Sequence, residues 1–98
     1  MNEPFALDGR VVIITGASRG IGKGTADAVS RSGGSVVLVA RTADDLEAVA
    51  ASLPGPSRVV VGAVEDPGVA DRAVAAAAEL GDLWGLVNNA GISPYYHP

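Results

Sequence analysis

A run of β-branched residues that breaks into a glycine-spaced turn limits what this chain can fold into more than any other stretch. Val11-Val12-Ile13-Ile14-Thr15 has strand length, Gly16-Ala17-Ser18-Arg19-Gly20-Ile21-Gly22 follows, and Thr25-Ala26-Asp27-Ala28-Val29 recovers helical spacing. The order is strand, tight turn, helix. Glycine is required where the backbone bends into angles closed to other residues and where it must come close to a ligand. A helix starting at about Gly20 points its unpaired N–H groups and the positive end of its dipole into that turn, and Arg19 and Lys23 add cationic side chains. Such a place suits an anion, and a phosphate above all.

A mononucleotide phosphate loop needs G-x-x-x-x-G-K-[ST], and around Gly22-Lys23 the required Gly and Ser/Thr positions hold Ala17 and Gly24. A nucleotide-phosphate hydrolase is therefore a poor reading. A purely structural turn stays open at this point, because one glycine spacing is a weak signal.

Ninety-eight residues make one domain at most, with a smaller buried fraction than a full-sized α/β domain. A content of 48% hydrophobic residues with 13 Gly and only 18% charged fits a buried parallel sheet with Ala-rich helices and argues against disorder. The net charge of -4 disfavours nucleic acid and anionic membrane surfaces as partners. With no Cys, disulfides, thiolate metal sites and thiol catalysis are excluded. No apolar run is long enough to span a bilayer, and Met1-Asn2-Glu3-Pro4 lacks the basic start of a signal peptide, so a cytoplasmic location is expected.

Met1 to Gly9 reads as a lead-in in which Phe5, Ala6 and Leu7 pack on the sheet edge and Asp8-Gly9 turns into the first strand. Ala26, Ala28 and Val29 form a small-residue face on the first helix, which Ser32-Gly33-Gly34 ends. Ser35-Val36-Val37-Leu38-Val39-Ala40 is a continuous apolar run, the form of a parallel strand covered on both faces. Thr42 is placed as an N-cap, with Asp44 and Asp45 in the first turn and Leu46, Val49, Ala50 and Leu53 at helical spacing until Pro54-Gly55-Pro56. Arg58 to Val61 is a third strand, and Asp66-Pro67 opens a third helix carrying the run from Ala73 to Ala78, where close packing on a sheet is the simplest reason for the alanines. Leu83 to Val87 supplies a fourth strand. This alternation predicts right-handed βαβ units and a parallel sheet.

Two motifs then point to a family. Thr15-Gly16-Ala17-Ser18-Arg19-Gly20-Ile21-Gly22 resembles the T-G-x-x-x-G-x-G motif of the short-chain dehydrogenase/reductase family, classical type, and Asn88-Asn89-Ala90-Gly91 resembles its N-N-A-G motif, in the expected order. The resemblance runs from about Leu7 to Pro94 and covers only the N-terminal portion of a typical member. It implies a Rossmann-type doubly wound parallel sheet, here its N-terminal part with strand order 3-2-1-4 and three helices, so that residues 1–98 form a single, incomplete NAD(P)-binding domain. In that order the first and fourth strands are neighbours, and the crevice at their carboxyl ends receives both motifs. The implied cofactor contacts are Gly16, Ser18, Arg19, Gly20, Ile21, Gly22, Arg41, Val64, Asn89, Ala90 and Gly91, with Asn88 more structural. An Asn-rich turn that merely ties a strand end together is the alternative for both asparagines.

The end of the second strand reads the cofactor. A carboxylate there bonds the ribose 2′-hydroxyl of NAD, whereas an Arg accepts the 2′-phosphate of NADP. The chain has Ala40-Arg41, with Asp44 and Asp45 three or four residues too late. NADP(H) is therefore expected over NAD(H), with Arg41 and Arg19 approaching one phosphate from two sides; a solvated strand-end charge is the alternative for Arg41. Two positions depart from the family. Ala63 stands where an Asp often contacts the adenine amine, leaving backbone at Val64, or Glu65 or Asp66, as substitutes; Trp84 stands where an acidic residue is common.

The family transfers hydride with a Tyr, a Lys four residues later and an upstream Ser, the cation being needed because a Tyr near its ordinary pKa of about 10 is a poor base at neutral pH. Here the only lysine is Lys23, and Tyr95 and Tyr96 have no position four residues on. No catalytic residue is assigned, and His97 is given no role. The expected function is the cofactor half of an NADP(H)-dependent carbonyl/alcohol oxidoreductase, inactive as this chain alone, with a small substrate and a homo-oligomer only at full length. The alternative is a non-catalytic nucleotide-binding or interaction module that uses its apolar fourth strand as an exposed edge.

Overall fold

In the computed structural model, which describes residues 6–18 and 20–88, the elements are β1 (Arg10–Thr15), α1 (Gly20–Arg31), β2 (Ser35–Ala40), α2 (Ala43–Ser52), β3 (Ser57–Val61), α3 (Pro67–Leu80) and β4 (Asp82–Asn88). They form a four-stranded sheet in the order β3-β2-β1-β4, every pair parallel. This is the expected strand order with the expected three helices. None of the helices among the described residues is long and apolar enough to cross a membrane.

The apolar runs of β1 and β2 are buried because helices cover both faces. On one face Val12, Ile14, Val36 and Leu38 pack with Ala26 and Val29 of α1 and Leu46 and Val49 of α2. On the other, Val11, Ile13, Val37, Val39 and Val60 pack with Val69, Ala73 and Ala77 of α3. Alternation along each strand thus sends successive side chains into two separate cores. The alanines of α3 allow that helix to lie close, with Ala73 and Ala77 buried and Ala75 and Ala78 facing out.

Local signals place most boundaries, with two corrections. Ala28 is exposed; the buried stripe of α1 is Gly22, Ala26, Val29 and Ser30, the true period of a helix resting on a sheet. Thr42 does occupy the N-cap of α2, yet its hydroxyl makes no capping bond. The first turn is closed by the Leu46 amide on the Thr42 carbonyl at 3.3 Å, and Asp44 and Asp45 stand in that turn, where negative charge favours the positive end of the dipole. In the lead-in, Leu7 packs against the first core while Ala6 is exposed and Phe5 lies outside the described residues.

Asp66 caps α3 as expected, its carboxylate accepting from the Gly68 amide at 2.8 Å, with Pro67 in the first turn. Replacing Asp66 by Ala is expected to cost about 1 kcal/mol, read as a lower urea midpoint at unchanged slope. An unchanged midpoint would show the cap to be energetically idle.

β4 is less covered than its neighbours. Among the described residues it pairs with β1 alone, and Leu83, Trp84 and Leu86 are exposed. The β1–β4 ladder slips by one residue, Val11 opposing Leu83 and Val12 opposing Gly85, which makes Trp84 the extra residue of a bulge. Its ring takes the Arg10 guanidinium at 5.3 Å.

Candidate dinucleotide site at the carboxyl ends of the strands

β1 delivers the chain to Gly16, which turns with φ 62°, and α1 begins at Gly20 with φ 63°, angles in the left-handed region that glycine enters without strain. Between them the Ala17 amide donates to the Val39 carbonyl at 3.3 Å, which binds the turn to the end of β2. Gly22 is needed for a different reason. A Cβ built there would run into the Gly16 carbonyl oxygen and lie 2.9 Å from the Gly16 carbonyl carbon and 3.1 Å from Ala17 Cα. The helix can seat its first turn against the glycine loop only without that side chain. Ile21, the second residue of α1, holds its apolar side chain 74% exposed.

A cleft of about 380 Å³ opens beside this turn. The turn contributes Gly16 and Ser18, the chain leaving β2 contributes Ala40, Arg41 and Thr42, and the chain leaving β3 contributes Gly62, Val64 and Glu65. The Gly62 amide donates to the Ala40 carbonyl at 2.9 Å, and Arg72 of α3 donates from Nη2 to the Val61 carbonyl at 2.9 Å. The last carbonyls of β2 and β3 are thereby tied to the cleft wall. Arg72 was not singled out in the sequence, because a partner 11 residues away on another element leaves no local pattern.

Arg41 extends into solvent from the rim, with Glu65 as its carboxylate neighbour. Asp66 is occupied by the α3 cap, so of the two acidic substitutes considered for the adenine contact only Glu65 faces the cleft. Val64 lines both this cleft and a second, apolar cavity of about 200 Å³ between α3 and the sheet, where Ile13, Val39, Ala73 and Leu86 also lie.

The first and fourth strands are neighbours, as a site built from both motifs requires. Thr15 opposes Asn88, and its Oγ1 donates to Asn88 Oδ1 at 2.8 Å, with the Val87 carbonyl oxygen 3.4 Å away. That bond holds together the strand ends from which the two motif loops leave. Of the expected contacts, Gly16, Ser18, Arg41 and Val64 share one cleft, and Gly20, Ile21 and Gly22 begin the helix beside it. Arg19, Asn89, Ala90 and Gly91 lie outside the described residues, as do Tyr95, Tyr96 and His97.

The residues present fit a phosphate-bearing dinucleotide. Gly16 lines the cleft without a side chain and Gly20 opens the helix beside it, a guanidinium stands at the end of β2, and the strand-end position that repels a 2′-phosphate when acidic is Ala40.

An open α/β sheet with helices on both faces and a glycine-rich strand-to-helix turn at its switch point is a fold of the Rossmann type. The chain belongs to the short chain dehydrogenase family, whose model matches residues 10–97. It is 43% identical over 97 residues to an uncharacterized oxidoreductase of Mycobacterium tuberculosis, covering 90% of this chain and 28% of that protein. Human L-xylulose reductase is 39% identical over 87 residues, covering 89% of this chain and 34% of the reductase. Among solved structures, L-sorbose reductase from Gluconobacter frateurii complexed with NADPH and L-sorbose superposes with a TM-score of 0.80 at 34% identity, over 92% of this chain and 36% of that one. The chain thus spans about a third of the length of the relatives it matches.

Proposed function

We propose that residues 1–98 are a single, incomplete cofactor-binding domain of an NADP(H)-dependent oxidoreductase that interconverts carbonyl and alcohol groups. Family membership supports oxidoreductase chemistry, and the L-sorbose reductase neighbour was solved with NADPH. The observation that carries the cofactor choice is Arg41 on the cleft shared with Gly16 and Ser18, with no carboxylate at Ala40. When bound, the nicotinamide ring supplies or accepts the hydride. The residues of this chain hold and orient: the turn amides from Gly16 to Gly22 take the pyrophosphate, Arg41 with Arg19 takes the 2′-phosphate, backbone at Val64 borders the adenine, and Asn89, Ala90 and Gly91 of the second motif are further cofactor contacts. No Tyr, Lys or Ser of the family's proton relay is assigned within these residues, and the small carbonyl or alcohol substrate, the subunit contacts and the cytoplasmic setting belong to the whole oxidoreductase.

Calorimetric titration of the chain with NADPH and NADH, on wild type and Arg41→Ala, tests this. NADPH is expected to bind tighter, and Arg41→Ala to weaken NADPH about tenfold while sparing NADH, the scale of one hydrogen bond to a charged group. Equal affinity for both cofactors, or a preference that survives the substitution, would refute the choice. No NADPH oxidation is expected with a carbonyl panel, and turnover would place the chemistry within these residues.

A second reading, a non-catalytic nucleotide-binding or interaction module, is favoured by the exposed Leu83, Trp84 and Leu86 of the β4 edge.

A further inference from the structure

Glu65 meets Arg41 across the rim of the cleft. Arg41 Nη2 lies 3.4 Å from both Oε1 and Oε2 of Glu65, and the two side chains are 74% and 70% exposed. One nitrogen against two oxygens at that distance is a loose contact, longer than the roughly 2.7–2.9 Å of a strong charge-assisted bond. It can open at little cost. The two residues are brought together by the ends of β2 and β3, 24 positions apart in the chain, and both line the cleft that holds the glycine turn. Asp66, next in sequence, spends its carboxylate on the Gly68 amide.

We infer that Glu65 lowers the NADP(H) selectivity of this site: its carboxylate pairs loosely with the Arg41 guanidinium and competes with a 2′-phosphate for it. The inference rests on the reading that Arg41 receives that phosphate. A phosphomonoester carries a charge of about −1.5 to −2 at neutral pH. To pair with it, the guanidinium must leave Glu65, and the released carboxylate then stands near a second anion, so competition and like-charge repulsion both oppose NADP(H). Neither acts on NAD(H), whose 2′-hydroxyl is uncharged. A carboxylate opposite the arginine thus makes the site less selective than Ala40 and Arg41 alone would make it.

The test is calorimetric titration of the chain with NADPH and with NADH for wild type, Glu65→Gln and Glu65→Lys. Glu65→Gln is expected to tighten NADPH about threefold, the scale of one exposed ion pair. Glu65→Lys is expected to tighten it about tenfold, because repulsion becomes attraction. NADH affinity should stay within about twofold of wild type, which also shows that the exposed site tolerates both changes. Unchanged NADPH affinity in both variants overturns the inference, as does a parallel change for NADPH and NADH. If Arg41→Ala removes the NADPH preference while both Glu65 variants behave as wild type, the role of Glu65 falls and the cofactor reading stands. If wild type shows no NADPH preference, the cofactor reading falls and takes this inference with it.

Discussion

Gly22→Ala is expected to weaken NADPH binding by at least tenfold and to lower stability by about 1–3 kcal/mol, the range for forcing one extra carbon into a filled space. The atoms in the way are backbone: the Gly16 carbonyl group and Ala17 Cα. No side chain can rotate aside. Relief requires α1 to back away from the glycine turn, which moves the helix N-terminus off the place where a phosphate would sit. Gly24→Ala is the control in the same helix. A Cβ there meets nothing within 4 Å, so alanine is expected to leave binding intact and to raise stability by up to about 1 kcal/mol through helix propensity. Titration with NADPH and a urea melt on both variants separate the outcomes. A Gly22→Ala protein that binds like wild type would show that the tight seat of α1 has no part in binding.

Leu38→Ala carries the largest stability loss, about 2–5 kcal/mol. Leu38 is fully buried in β2, paired with Ile14 on one side and Val59 on the other, and its side chain belongs to the core under α1 and α2. Removing it leaves a void between strands fixed by their ladders, and the sheet cannot close around it. Small domains have about 5–15 kcal/mol in total, so a loss of this size removes a large share of the margin. The expected observation is a fall in the urea midpoint large enough to populate unfolded chain at low denaturant, with NADPH restoring part of it by mass action. An unfolding free energy within about 0.5 kcal/mol of wild type would contradict the packing described around Leu38.

The sharpest local signals carried through to the structure because each acts within a few residues. The β-branched run at Val11 to Thr15, the apolar run at Ser35 to Ala40 and the Asp66-Pro67 start settle backbone conformation by sterics, hydrogen-bond supply and propensity at the position itself. The glycine turn belongs to the same kind, as Gly16 and Gly20 adopt angles that other residues avoid. Two sequence signals ran ahead of the structure. Thr42 has the right residue type and stands at the N-cap, but its hydroxyl makes no capping bond. Ala28 is small and apolar, yet it lies off the stripe that α1 buries.

Residue order and side-chain chemistry alone determine that this chain alternates strands and helices, that its first strand runs through a glycine-spaced turn into a helix, and that two segments carry the family's motifs. Only the folded sheet decides that Thr15 and Asn88, 73 positions apart, hydrogen-bond across neighbouring strands, that Trp84 bulges under Arg10, and that Glu65 stands against Arg41. The reason is physical. A turn or cap draws its free energy from residues adjacent in the chain, whereas a cleft between strand ends exists only after distant segments have met and paired, and which charges face each other there depends on the register they adopt.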